Sequence, residues 1–323
     1  MTRHNVMGRE GMWLAVLAAG AMYAAAYFLD SPVPLLGDLG TCLPSPNKWP
    51  IPPIVAWAID TALMAIATFV LYFFNKEYQL VPGSDTVLPG FFLLMAASNP
   101  WISGLLTSST IFALANITCM AVLFGCYRKR TAAQEMFLIA TIISLGSMIQ
   151  YAFFFLIPVY LIGAMMLRCL GFKGFVAFLM GMAAPYWVGV GMGVIDISWF
   201  HYPTFTNLFD GFDTNTDLFI GLITIASTVL VSTILALNNM VKQYAGNTQR
   251  RLYNSTMQLL GFVCSVCMVL DFNNIVAYTA TVYLVAAFQL ANLFALWNIR
   301  YGRRWLLLIA ILYLISFILM TLI

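Results

Sequence analysis

Ile54-Val-Ala-Trp-Ala-Ile-Asp60-Thr-Ala-Leu-Met-Ala-Ile-Ala-Thr-Phe-Val-Leu-Tyr-Phe-Phe74 runs for 21 residues with a single charged side chain. About 20 mostly apolar residues are needed for a helix to cross the hydrocarbon of a bilayer. Lipid offers the backbone no hydrogen-bond partners, so such a run has to satisfy itself as an α-helix. Comparable runs occupy 11–29, 86–102, 105–126, 133–148, 150–169, 174–195, 217–239, 256–271, 274–297 and 305–322. The pattern predicts an all-α, polytopic transmembrane helical bundle of about eleven spans. Only short polar breaks separate the runs, so residues 1–323 read as a single integral membrane domain.

Composition supports the same reading. Hydrophobic residues make up 62% of the chain and charged residues 8%, with a mean hydropathy of +0.89. A soluble domain carries roughly 25% charged residues. The implied partner is the lipid bilayer, and nothing suggests nucleic acid. The first run follows Arg3 and Arg9 and is 19 residues long, beyond the roughly 7–15 of a secretory signal's apolar core. It reads as an uncleaved first span. Segment 86–102 contains Pro89 and Gly90 and ends at Asn99-Pro100, which predicts a broken or partly re-entrant passage. Its successor is long enough to cross alone, so 86–102 must still carry the chain to the other side.

Alternating the spans from side to side puts Arg3, Arg9, Lys76, Arg128, Lys129, Arg130, Arg168, Lys173, Lys242, Arg250, Arg251, Arg300, Arg303 and Arg304 on one face. Only Lys48 falls opposite. Cationic loops stay in the cytoplasm, so the N-terminus is expected there and the C-terminus outside. Trp13, Trp297 and Trp305 fall at the inner boundary and Trp49, Trp57, Trp101 and Trp199 near the outer one, as an aromatic belt would. The outer face then collects Asp30, Asp38, Asp196, Asp210, Asp213, Asp217 and Asp271. An acidic rim attracts cations, although loops denied Lys and Arg also become acidic by default. Two longer outer loops follow: proline-rich 30–53, and 196–216 with Trp199, Phe200, His201, Tyr202 and Phe205.

Asp60 is the clearest ionisable group at depth, about 9 Å along its helix at 1.5 Å per residue. Charged residues inside a membrane are costly and mark function by default. In a dry setting the carboxyl has to be neutral; ionised, it must line a wet cavity or bind a cation. Asn116, Gln289 and Asn292 are neutral polar groups at similar depth, for which bonding between helices is the plainer role. The run Gly181-Met-Ala-Ala-Pro185-Tyr-Trp-Val-Gly-Val-Gly-Met-Gly193 suits close packing, a kink or a hinge. Cys264-Ser-Val-Cys267 lacks the further ligands that zinc needs. No phosphate-binding glycine loop, dinucleotide fingerprint or Ser-His-Asp grouping is present.

The segment from Tyr151-Ala-Phe-Phe-Phe-Leu-Ile-Pro158 through Gly171-Phe-Lys-Gly-Phe to Met180-Gly-Met-Ala-Ala-Pro185-Tyr186 resembles a family of multi-pass inner-membrane proteins of Bacteroidetes bacteria that carry only an unknown-function label. Tyr283 to Phe294 and Arg303-Arg-Trp305 are similar to it as well. The resemblance covers about a third of the chain. It implies a bacterial cell inner membrane and no activity or site residue.

Three functions fit these residues. The leading expectation is transfer of a sugar from a polyprenyl-phosphate lipid at the outer leaflet. Asp30 and Asp38 in the first outer loop would then be catalytic, deprotonating an acceptor hydroxyl or holding a divalent metal on the lipid phosphate. With Lys48 as the one outer cation, a metal or His201 would have to meet that phosphate. The alternatives are a non-catalytic subunit of a membrane complex, and a cation- or proton-coupled transporter using Asp60. The substrate or ion site residues singled out are therefore Asp60, His201 and Asn116.

Overall fold

The computed structural model describes residues 9–29, 40–129, 131–201, 216–243, 248–296 and 299–322. Among them the regular structure is helical: α1 (Arg9–Phe28), α2 (Pro53–Tyr78), α3 (Val87–Ala97), α4 (Pro100–Ser103), α5 (Ser108–Gly125), α6 (Ala133–Ile149), α7 (Ile157–Met166), α8 (Phe172–Gly191), α9 (Thr216–Gln243), α10 (Thr248–Leu270), α11 (Ile275–Leu296) and α12 (Ile299–Leu322). Among the described residues, eight helices are long and apolar enough to cross a membrane, and Val87–Ala97, Ala133–Ile149 and Tyr151–Met166 are shorter apolar segments. This is the make-up of a multi-pass membrane protein.

α11 is the axis. Every residue from Asn274 to Phe294 is buried, and α3, α5, α9 and α10 surround it. The outer helices present apolar side chains outward, among them Leu14, Leu17, Phe69, Phe73, Leu138, Leu145, Leu308 and Leu312. A surface of this kind is stable only against lipid or another apolar phase.

The connections gather at two ends. At one, Thr41 N donates to Ser147 O, His201 N to Thr41 O, and Gln150 Nε2 to Asn274 Oδ1. At the other, the Phe124 ring stacks on Tyr253 at 4.1 Å, Tyr78 and Tyr127 pack edge-on to Tyr253, and Arg128 N donates to Leu167 O. These are called the Asp271 end and the Tyr253 end.

Segment 86–102 is broken. α3 is 11 residues long, about 16 Å by helical rise, and stops before Asn99. The Asn99 side chain accepts from Trp101 N and so caps α4, and its Nδ2 donates to Tyr283 Oη at 3.1 Å. The helix opens here because its freed polar groups find partners inside the protein rather than lipid. Asn75, in the last turns of α2, accepts from Val81 N and donates to Ser84 O, which holds the start of α3 at the Tyr253 end. α5 begins at the Asp271 end, so the interrupted segment does carry the chain across the bundle.

Two expectations change in the structure. Trp101 does not join an aromatic belt: it is fully buried, packed against Gly221 of α9, which has no side chain to obstruct the ring. Asp271 does not belong to an acidic rim, because the turn between α10 and α11 points it inward. The Pro185 helix settles as a packing element, since a Cβ on Gly181 would stand 2.5 Å from Phe137 O of α6.

Candidate functional site

Asp60 lies on the face of α2 that packs against α5, fully buried. Thr110, at the third position of α5, lies within hydrogen-bonding reach of its carboxylate, and the Tyr23 hydroxyl of α1 is near enough to feel its charge. Thr110 is close enough to donate to the carboxylate, but no bond of ordinary length and angle satisfies Asp60 Oδ1 and Oδ2, Thr110 Oγ1 or Tyr23 Oη, all of which are buried. Buried polar atoms are nearly always paired. Thr110 lacks the acceptor that Thr61, Thr68, Thr118 and Thr141 use four residues back, because its own fourth predecessor, Leu106, precedes the helix.

The unpartnered set continues toward the Asp271 end. Thr107 precedes α5 in extended conformation, and its side chain caps no amide of the first turn. Its Oγ1 is buried and unbonded, as is Asn47 Oδ1. Both residues line a cavity of about 10 Å³ together with Ser45, Ser108 and Asn274.

Beside the cavity, which Asn274 also lines, stands a cluster in which both carboxylate oxygens of buried Asp271 are bonded. Tyr151 Oη donates to Asp271 Oδ1 at 2.7 Å, Asn274 Nδ2 to the same oxygen at 2.9 Å, and Tyr278 Oη to Oδ2 at 3.0 Å. Asn274 also reaches the Tyr151 hydroxyl and accepts from Gln150 Nε2 at 2.6 Å. This cluster ties the α6–α7 turn to the α10–α11 turn.

The remaining singled-out residues lie elsewhere. Asp30 and Asp38 are outside the described residues. His201 is exposed, with its amide on Thr41 O. Asn116 is fully engaged, donating to Phe112 O and Thr281 Oγ1 and accepting from Tyr160 Oη at 2.7 Å, so it joins α5, α7 and α11. Gln289 bonds Asn239 and Asn254, linking α9, α10 and α11. Cys264 and Cys267 are free and buried, and no group of three or more metal-ligating side chains occurs among the described residues. In the loops of the Asp271 end, the Ser198 amide holds the exposed Asp196 carboxyl below its usual range, and burial pushes the Cys42 thiol up.

Asp60 was legible in the sequence as an acid at depth. Tyr23, Thr107 and Thr110 were not, because a tyrosine and a few hydroxyls in apolar runs are commonplace. The one available signal was Thr107-Ser-Ser-Thr110, four consecutive hydroxyls opening a long apolar run. No family model matches the chain, and no characterised protein matches it in sequence.

Proposed function

We propose that the chain is an inner-membrane protein of about eleven spans, N-terminus in the cytoplasm, acting as a cation- or proton-coupled transporter with Asp60 as its coupling site. The observation that carries this reading is the Asp60 carboxylate, buried inside the bundle with both oxygens unpartnered. A structural carboxyl acquires donors, as Asp271 does. One kept without them is costly and has a reason to stay when its partner comes and goes. The broken α3–α4–α5 passage supports the same reading, because interrupted helices at depth place polar ends around transported ions.

Eleven crossings are supported by the eight long helices and three shorter apolar segments. The cytoplasmic N-terminus rests on the one-sided distribution of Lys and Arg, which makes the Asp271 end the outer one. A non-catalytic subunit has no need of an unpartnered carboxylate. The sugar-transfer reading depends on Asp30 and Asp38, and no described residue favours it.

The test is ion flux in proteoliposomes of the purified protein. Wild type should accelerate equilibration of radiolabelled sodium or collapse of an imposed pH gradient, and Asp60→Asn should abolish this while still inserting. Equal flux in wild type and Asp60→Asn would overturn the proposal.

A further inference from the structure

α9 carries a ladder of hydroxyls at mid-depth. Thr224, about 12 Å along the helix by its rise, Thr228 and Thr233 each donate to the carbonyl four residues back, and Ser227 to the one three back. Ser232 does not. It is 8% exposed and makes no hydrogen bond among the described residues. Unlike Thr107 Oγ1, its oxygen is not sealed in, so the hydroxyl opens into the cavity that it lines.

That cavity measures about 340 Å³ and lies between α9, α11 and α12, at the lower end of the range that small-molecule sites occupy. Thr224, Ser227, Thr228, Tyr313 and Ser316 line it with Ser232. Met95, Leu290 and Leu312 belong to an otherwise apolar wall, and no lining side chain carries a charge.

The protons of most of these hydroxyls are already committed. Thr224 Oγ1 meets Ser316 Oγ and Thr228 Oγ1 meets Tyr313 Oη, both at 2.8 Å. A hydroxyl has one proton and two lone pairs. Thr224 and Thr228 give theirs to α9 carbonyls, so Ser316 and Tyr313 are the donors across the α9–α12 contact. Ser227 likewise donates to Thr224 O. What remains toward the cavity is a set of lone pairs and one free O–H, on Ser232. The matching ligand group both donates and accepts, and it is neutral because no charge awaits it. A hydroxyl does this; an ether, a ketone or an ester only accepts. At this depth a charged headgroup would lie in hydrocarbon without a counter-charge.

We propose that this cavity is a binding site for an uncharged alcohol with an apolar body, entering from the lipid phase. Its O–H donates to a lone pair left on the Thr228–Tyr313 pair, and its oxygen accepts from Ser232, one turn along α9. The site is separate from Asp60 and independent of the transport reading.

A dodecanol carrying a photoreactive diazirine is the probe, with the purified full-length protein in detergent. Irradiation should place the adduct on peptides of α9 and α12, read by mass spectrometry, and unlabelled 1-dodecanol should compete. Methyl undecyl ether, an isomer of dodecanol that accepts without donating, should compete roughly threefold to tenfold more weakly at equal mole fraction in the micelle. Dodecane should be weaker still. Ser232→Ala should lower affinity for the alcohol by a similar factor with the melting temperature unchanged, since Ser232 has no bond to lose. Ser227→Phe, which fills the cavity from an exposed position, should abolish the adduct. Equal competition by alcohol, ether and hydrocarbon in wild type would overturn the alcohol assignment, whatever the variants do. Adducts spread over the other helices, or unchanged by Ser227→Phe, would overturn the site. Wild-type affinity in Ser232→Ala would overturn the role of its hydroxyl.

Discussion

The Tyr151 hydroxyl donates to Asp271 Oδ1 at 2.7 Å, joining two turns that are 120 residues apart in sequence. Asp271 accepts from Asn274 and Tyr278 as well, so its carboxyl is the shared anchor of three donors. Replacing it with alanine leaves buried donors without an acceptor, each costing about 1–3 kcal/mol. Asp271→Ala should therefore lose about 3 kcal/mol or more of stability, seen as a lower melting temperature in detergent. Tyr278→Phe removes one donor and leaves the others paired, so it should cost less. A fully stable Asp271→Ala protein would show that this cluster does not hold the two turns together.

Asp60 should behave in the opposite way. With no partner to lose, its removal in cation-free buffer relieves an uncompensated polar burial worth about 1–3 kcal/mol. Asp60→Asn and Asp60→Leu should melt at or above the wild-type temperature under those conditions. A marked loss of stability in both would mean that Asp60 is bonded in the resting protein.

Packing of α8 on α6 depends on the absence of a side chain at Gly181, where a Cβ would press on the Phe137 carbonyl. Gly181→Leu should force the helices apart at a cost of about 1–3 kcal/mol. Gly191 ends the same helix with nothing near its Cβ position. Gly191→Ala should be neutral or slightly stabilising, and it serves as the control in the same melting assay.

Thiol labelling tests the placement of the Asp271 end. Cys42 is buried, and burial pushes its thiol up from its ordinary value, so thiolate is scarce near neutral pH. All six native cysteines are free and buried. A membrane-impermeant maleimide applied to the outside of intact cells should leave the wild-type protein unmodified and label His201→Cys, whose position is exposed. Labelling of His201→Cys only after the cells are opened would reverse the orientation.

Much of the architecture was determined by the sequence alone. Apolar runs of span length, with polar breaks between them, have one solution in lipid: helices that satisfy their own backbones. Among the described residues eight helices are long and apolar enough to cross a membrane, and even the weakness at Asn99-Pro100 was legible, because proline lacks the amide a continuing helix needs. Asp60 stood out because a charge at depth is rare.

Tertiary structure decided which polar groups have partners. Asp60 lies within an apolar run and Asp271 at the end of one, but neither position says whether the carboxyl will find donors. The first has Thr110 in reach and no bond of ordinary geometry; the second meets Tyr151, Asn274 and Tyr278 and is satisfied. Asn116, equally deep, is fully engaged by Tyr160 and Thr281. Hydropathy measures the transfer of each side chain into lipid and is blind to these pairings. They depend on which helix faces which, and that is set by close packing around α11 rather than by any single run.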